Sequence, residues 1–296
     1  MIAGYKKVTS ALVCLYLAQI CISQPMGKVI EEKSLKSDIL SRTVNYTIYL
    51  PPDYSESERT YPVVYLLHGY TDDNTVWLQF GEINRYADKA IANGTIPPMI
   101  IIMPNADSSW YINSYDGKEK YEDFFIKEFI PAVEKTYRIK AQKKYRGIGG
   151  LSMGGYGTLI YSLKYPDLFA AAAPLSAAVY DDGSMEKKSE KSWNETYAQL
   201  YGRGLKGKDR LTKSWYDNSI FKIVESKTTE ELKSVRYWID CGDDDFLTKA
   251  NCKLHILLTD KKVPHEFRMR DGDHSWEYWR TGITDALQFI GKSFHQ

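Results

Sequence analysis

The chain contains 296 residues, of which 43% are hydrophobic and 26% are charged, and its formal net charge is +1. These values are typical of a globular protein that folds as one large domain, or as two smaller ones at most. A net charge so close to zero excludes a broad electrostatic attraction to nucleic acids or to anionic membranes, and we expect no nucleic-acid partner.

The N-terminus has the parts of a secretory signal peptide. Lysines at positions 6–7 precede a short apolar run at 11–18. The run is shorter than the roughly 20 residues of a membrane-spanning helix, so it predicts a cleaved signal peptide over residues 1–23. We therefore expect a secreted or periplasmic protein that does not span the membrane. A lipid anchor on Cys21 is the alternative. Residues 24–296 are expected to form a single domain.

The first half of this domain predicts a hairpin and then strands alternating with helices. Residues 43–50 alternate between apolar and polar side chains, as in a half-buried strand, whereas residues 61–67 form the continuous apolar run of a strand buried on both faces. Apolar side chains recur at helical spacing over residues 121–137. The predicted elements are strands at 29–36, 43–50, 61–67 and 98–103, and helices at 82–92 and 121–137.

The second half continues this alternation around a long polar segment. The predicted elements are a strand that ends at Ser152, strands at 168–174, 235–240 and 264–270, and helices at 153–164, 246–258 and 276–290. Residues 181–233 are weakly patterned, and we interpret them as an insertion with short helices near the functional site. The alternation predicts an α/β fold, with a mostly parallel central sheet and helices on both faces.

A glycine-rich turn supplies the candidate nucleophile. Residues 150–154 read Gly-Leu-Ser-Met-Gly, between a predicted strand and a predicted helix. This G-x-S-x-G pattern is typical of a nucleophile elbow, a sharp strand-to-helix turn that exposes a serine hydroxyl. It predicts Ser152 as the nucleophile of a hydrolase.

The later strand ends supply a candidate acid and a candidate base. Ligands of such sheets bind beyond the carboxyl ends of the strands, where a serine needs an imidazole to take its proton and a carboxylate to orient that imidazole. His274 follows the last strand and is the predicted base. Asp244 and Asp245 both follow the preceding strand, and position alone does not choose between them. Asp245 could instead cap the next helix.

The sequence also places the backbone donors that would bind an oxyanion, and it shows no metal-binding motif. On this fold the oxyanion donors are the N–H after the nucleophile, here that of Met153, and one after the third strand, here that of Tyr70. No H-E-x-x-H or paired Cys/His spacing occurs, so we expect no metal and no cofactor. The sequence does not decide whether Cys241 and Cys252 form one disulfide or remain two free thiols.

Several motifs together resemble one family. The chain is similar to the esterase D-like branch of the α/β-hydrolases, which includes feruloyl and acetylxylan esterases, S-formylglutathione hydrolases and mycolyltransferases. The motifs lie at residues 67–70, 104–105 with 110–111, 121–125, 150–155, 241–247 and 272–276. The resemblance implies the α/β-hydrolase fold over about residues 40–292. It also implies that Asp245 is the acid and that Tyr70 is the second oxyanion donor, where many relatives have an aliphatic residue.

The resemblance and the predicted secretion suggest a serine carboxylesterase that removes feruloyl or acetyl groups from plant polysaccharides through an acyl-enzyme. Trp110, Tyr111 and Trp276 are the expected contacts for a cinnamoyl or sugar ring. The alternatives are an acyltransferase, a general short-chain acyl or thioester hydrolase, and an inactive binding protein on the same fold. The sequence leaves the oligomeric state open.

Overall fold

The structure is a computed structural model that describes residues 25–295. The signal peptide predicted over residues 1–23 and the alternative anchor at Cys21 lie outside the described residues. The strands are β1 (Lys28–Ser37), β2 (Arg42–Leu50), β3 (Val63–Leu67), β4 (Ile100–Pro104), β5 (Arg146–Leu151), β6 (Ala171–Leu175), β7 (Arg236–Asp240) and β8 (His265–Arg268). In the described part of the chain they form one eight-stranded sheet in the order β1-β2-β4-β3-β5-β6-β7-β8.

The sheet is antiparallel at one edge and parallel elsewhere. β1 and β2 form the predicted hairpin, and β2 also pairs antiparallel with β4. The neighbouring pairs from β4 to β8 are all parallel. The apolar run in β3 is continuous because Val63 and Tyr65 enter the core on one face, while Val64 and Leu66 enter the core on the other. The predicted sheet is confirmed.

Helices cover both faces of the sheet. The α-helices are α1 (Val76–Gln79), α2 (Ile83–Ala92), α3 (Tyr121–Phe124), α4 (Ile130–Thr136), α5 (Met153–Lys164), α6 (Asp182–Glu186), α7 (Glu190–Ser192), α8 (Ala198–Tyr201), α9 (Lys213–Asn218), α10 (Ile220–Ser226), α11 (Thr229–Lys233), α12 (Thr248–Asp260) and α13 (Trp276–Ser293). Helices α2 and α13 pack on one face, and α4, α5 and α12 pack on the other. The short α1 has no counterpart among the predicted elements.

The helix predicted over residues 121–137 is divided into three parts. A π-helical turn at Phe125–Phe129 separates α3 from α4. At the junction the Ile130 N–H donates to the Phe125 carbonyl, five residues back. Pro131 follows and has no N–H to offer, which favours an irregular junction at this point. The aromatic side chains of α3 and of the π turn remain fully buried, so the predicted core face is kept.

Residues 181–233 contain short helices, α6 to α11, and no strand. We call this segment the insertion. The Asp181 and Thr228 side chains cap α6 and α11, so these short helices have their first N–H groups satisfied. The Tyr156 hydroxyl of α5 donates to the Asn218 carbonyl at 2.8 Å, and the Lys164 ammonium donates to the Asn218 side chain at 2.6 Å. The insertion is therefore fastened to the helix that begins beside Ser152.

Two further properties bear on the sequence expectations. Among residues 25–295, no helix combines the length and the apolar character needed to cross a bilayer. Cys241 is buried and Cys252 is half-buried, and both are free thiols rather than a disulfide. Burial raises the pKa of the Cys241 thiol to about 12, so this group stays protonated at neutral pH.

Candidate active site

Ser152 occupies the sharp turn between β5 and α5. Its backbone has φ 53° and ψ −115°, a strained conformation for a residue with a side chain. The Ser152 N–H donates to the Leu175 carbonyl at 2.9 Å, and the Ser152 carbonyl accepts from the Ala178 N–H at 3.0 Å. A Cβ on Gly154 would lie 2.5 Å from the Leu67 carbonyl oxygen, so glycine is required there for α5 to approach β3.

The structure brings Ser152, His274 and Asp245 into one hydrogen-bonded series. Ser152 Oγ lies 3.0 Å from His274 Nε2, and His274 Nδ1 lies 2.8 Å from an Asp245 carboxylate oxygen. The other Asp245 oxygen accepts from the Leu247 N–H at 2.8 Å, just before α12. Asp245 therefore has the geometry of the predicted acid, whereas the N-cap position of α12 is Leu247 and no side chain caps it. Asp244, the positional alternative, is exposed.

The environment of Asp245 favours its charged form. Burial opposes ionisation, but hydrogen bonds from His274 and from the Leu247 N–H outweigh it and hold the pKa of Asp245 below its usual value. The ionised carboxylate keeps a proton on Nδ1 of His274. The Nε2 lone pair is then free to accept the Ser152 proton.

Aromatic side chains hold the His274 ring on two sides. The Trp279 ring meets it edge-on with centroids 4.8 Å apart, and the Trp279 indole N–H donates to Ser176 Oγ at 3.0 Å. Phe246 lies 4.6 Å from the imidazole and is 73% exposed. Sequence reasoning missed Phe246 as a site residue. Its place directly after the predicted acid was the available signal.

The loop after β3 packs against the start of α5. Within it, the buried His68 ring donates from Nδ1 to the Gly69 carbonyl at 2.8 Å and accepts the Ala106 N–H at Nε2, also at 2.8 Å. Burial lowers the pKa of His68 to about 4, so the ring is neutral and fixes this loop as a structural element. The Tyr70 N–H follows, and the Met153 N–H opens α5. Among residues 25–295, neither donates to a protein acceptor.

Two expected substrate contacts need correction. Tyr111 is fully buried, and its hydroxyl donates to the His68 carbonyl at 3.0 Å, so it supports the loop instead of meeting a substrate. Trp110 is only 4% exposed. Both residues have positive φ, 56° and 60°, which turns the chain sharply and directs the two rings inward.

Trp110 belongs to a group of four rings that we call the aromatic wall: Tyr70, Trp110, Tyr180 and Tyr197. The Trp110 centroid lies 6.0, 6.4 and 5.4 Å from those of Tyr70, Tyr180 and Tyr197. Tyr197 comes from the insertion, so the wall joins the insertion to the loop after β3. Tyr180 and Tyr197 have no sequence motif that marks them as site residues.

Trp276, the third expected contact, packs against other aromatic side chains. It is half-buried at the first position of α13, between Trp77 and Phe80, with centroid distances of 5.2 and 5.9 Å. Phe80 is 51% exposed. We call Phe80, Trp276 and Phe246 the aromatic rim. Phe246 contacts the His274 ring directly, whereas Trp276 reaches it through Trp279, with centroids 5.4 Å apart.

One group of carboxylates has the spacing of metal ligands. Single oxygens of Asp243, Asp244 and Asp271 lie within 4.8 Å of one another, and all three residues are exposed. One Asp243 oxygen already accepts the N–H groups of Gly272 and Asp244. Exposed carboxylates alone do not define a metal site, and the Ser152 series contains no such cluster.

Comparison with known proteins identifies the family. Residues 37–290 match the family described as “Putative esterase”. The chain belongs to this esterase family. An acetyl esterase of Caldicellulosiruptor saccharolyticus is 27% identical over 232 residues, which are 77% of this chain and 83% of the relative. An endo-1,4-beta-xylanase/feruloyl esterase of Xylanibacter ruminicola is 32% identical over 158 residues. That match covers 51% of this chain and 22% of the much longer relative.

A solved structure supports the same assignment. A ferulic acid esterase superposes with a TM-score of 0.77 at 35% identity, and the match covers 90% of this chain and 99% of that one. The predicted α/β-hydrolase fold and the esterase D-like family are thereby confirmed, and the esterase is a hydrolase of carboxylic esters.

Proposed function

We propose that this esterase is a secreted serine hydrolase that works through a covalent acyl-enzyme. The observation that carries the mechanism is the series Ser152–His274–Asp245, with hydrogen-bond distances of 3.0 and 2.8 Å. Ser152 Oγ attacks the ester carbonyl carbon while His274 Nε2 takes the hydroxyl proton. Asp245 stabilises the imidazolium that forms.

Two backbone N–H groups are proposed to bind the oxyanion of the tetrahedral intermediate, those of Tyr70 and Met153. His274 then gives its proton to the alcohol oxygen as the carbon–oxygen bond breaks, which leaves the acyl group on Ser152. A water molecule attacks this acyl group and transfers a proton to His274. Release of the carboxylic acid returns the proton to Ser152 Oγ.

Replacement of the nucleophile tests this mechanism. We expect Ser152→Ala to lower kcat for 4-nitrophenyl acetate by about 10⁴-fold or more, because the nucleophile is lost. Ser162→Ala is the matched control, since Ser162 lies on the same helix and its Oγ donates to the Leu159 carbonyl at 3.2 Å, away from the site. Equal activity in the two variants would refute the mechanism.

Feruloyl or acetyl esters of plant polysaccharides are the proposed substrates. The names of the acetyl esterase and ferulic acid esterase relatives support this class. The aromatic rim supports it too, because exposed ring faces stack against cinnamoyl and sugar rings. Product release from methyl ferulate and from acetylated xylan is the test. Inactivity on both, with 4-nitrophenyl acetate still cleaved, contradicts the assignment. Hydrolysis of S-formylglutathione tests the alternative of a thioester hydrolase. Formation of a new ester in the presence of a competing alcohol tests the alternative of an acyltransferase.

Export is proposed from the N-terminal pattern. N-terminal sequencing of exported protein is expected to begin near Gln24. A start at Cys21 with the added mass of a lipid supports the anchored form instead. A start at Met1 in exported protein overturns both proposals.

A further inference from the structure

Lys188 places a cation against the aromatic wall. Its Nζ lies 3.9 Å from the Tyr180 ring centroid and 5.0 Å from that of Tyr197. Lys188 is half-buried, and burial lowers its pKa. In the described part of the chain no carboxylate pairs with this ammonium. By contrast, Lys206 of the insertion pairs with Glu190, and Lys253 of α12 pairs with Asp181.

This cation borders the catalytic centre. Tyr180 comes two residues after Ala178, whose N–H donates to the Ser152 carbonyl at 3.0 Å. Burial raises the pKa of Tyr180, and the charge of Asp245 acts in the same direction. Trp110 contacts the Tyr180 ring on one side and the Tyr70 ring on another. Lys188 is therefore linked through these rings to Tyr70, whose N–H is a proposed oxyanion donor.

The Lys188 side chain contacts two aromatic rings, but its ammonium has no hydrogen-bonded partner among the described residues. Arg210 provides the contrast, because its guanidinium also lies over a ring, that of Trp193, but donates to the carbonyls of Leu205 and Glu186 at 3.1 and 3.3 Å. An ammonium has three donors, and among residues 25–295 those of Lys188 have no protein acceptor. Partial removal of an unpaired charge from water is unfavourable, and an anionic ligand offsets that penalty.

We propose that Lys188 binds a carboxylate of the substrate, so that the preferred substrates are esters with an acidic group in the part that lies beside Tyr180. This inference rests on the proposed ester hydrolysis and specifies its substrate class. The carboxylate belongs to the acyl part or to the alcohol part. The chemistry that Lys188 recognises is the same in both cases.

Two pairs of esters of matched shape test the proposal. The acyl pair is mono-4-nitrophenyl glutarate and 4-nitrophenyl pentanoate. The alcohol pair is 4-acetoxybenzoate and 4-acetoxytoluene. For each pair the readout is the ratio of kcat/KM for the acidic ester to kcat/KM for the neutral ester. We expect Lys188→Met to lower this ratio about tenfold in one pair, because a charge-assisted hydrogen bond is lost. That pair identifies which part of the substrate carries the acid.

Three controls make the result specific. Lys188→Arg is expected to keep most of the ratio, and Lys187→Met, at an exposed neighbouring position, is expected to leave it unchanged. If Lys188→Met does not fold, Lys188→Gln replaces it. In the wild-type protein, added salt is expected to lower kcat/KM for the acidic ester more than for its neutral partner.

The outcomes separate this inference from the proposed function. An unchanged ratio in Lys188→Met for both pairs, or no difference in salt response between the partners, overturns the role of Lys188. Hydrolysis of the neutral esters that still depends on Ser152 then leaves the proposed function standing. Failure of all four esters, or turnover that does not depend on Ser152, rejects the proposed function itself.

Discussion

The Nδ1 atom of His274 lies 2.8 Å from an Asp245 carboxylate oxygen, whereas the adjacent Asp244 is exposed to solvent. The two aspartates therefore offer a matched pair of variants. We expect Asp245→Asn to lower kcat by about 10³-fold or more, because an amide no longer holds the productive tautomer of the imidazole. Asp244→Asn is expected to retain activity. Steady-state kinetics on 4-nitrophenyl acetate measure both, and the reverse order would assign the acid to Asp244.

Phe246 is expected to contact the substrate. It is 73% exposed and lies 4.6 Å from the His274 ring, so a ring bound above His274 meets it. We expect Phe246→Ala to lower kcat/KM for methyl ferulate by roughly 2- to 10-fold, the range of one aromatic contact. Ile256→Ala is the control, because Ile256 is similarly exposed on α12. A loss of the same size on 4-nitrophenyl acetate would indicate an effect on His274 and not on ring binding.

His68 makes stability depend on pH. Its pKa is lowered from 6.5 to about 4 by burial, so the unfolded chain takes up a proton between these values while the folded chain does not. The neutral His68 therefore contributes about 3 kcal/mol to the free energy of unfolding above pH 6.5, and this contribution is lost as the pH falls towards 4. Urea denaturation at several pH values measures it. His68→Gln is expected to be less stable near neutral pH and to lose less on acidification. Identical pH slopes in the two proteins contradict the assignment.

Arg146 and Glu134 form a buried ion pair. Their closest atoms are 2.6 Å apart, and the side chains are 7% and 8% exposed. We expect Glu134→Gln to lower the free energy of unfolding by about 3–5 kcal/mol, because the Arg146 charge is left without a partner. Asp217→Asn, which breaks the exposed pair with Lys213, is expected to change it by less than about 1 kcal/mol. Similar urea midpoints for the two variants would show that burial does not determine how much an ion pair contributes to the free energy of unfolding.

The sheet and the Ser152 series were accessible from sequence because each has a local signal. A strand buried on both faces, such as β3, reads as an uninterrupted apolar run, and the chain order Ser, Asp, His is fixed by the fold. The choice between Asp244 and Asp245 has no such local signal. Both follow β7, and only the turn that directs one carboxylate to His274 and to the Leu247 N–H separates them.

The residues proposed to contact the substrate were harder to predict from the sequence. Trp110 and Tyr111 carry the composition of a binding loop, but the backbone turn that buries their rings depends on positive φ at two non-glycine residues, which sequence patterns do not reveal. Tyr180 lies just before the insertion and Tyr197 lies within it, and both join the aromatic wall only through tertiary packing. Phe246 was missed although it directly follows the predicted acid. In the sequence, an aromatic residue just before a helix does not differ from an ordinary surface residue, and its exposure is visible only in the structure.

The insertion supplies Tyr197 and Lys188 to the site but contributes no strand and none of the three residues Ser152, Asp245 and His274. The hydrogen-bonded series and the residue proposed to select acidic esters thus lie in separate stretches of the chain. Replacing residues 181–233 therefore removes Lys188 and Tyr197 and leaves Ser152, Asp245 and His274 in place. Exchanging this stretch with that of a relative is accordingly expected to change the preference for acidic esters while the Ser152–His274–Asp245 series is kept.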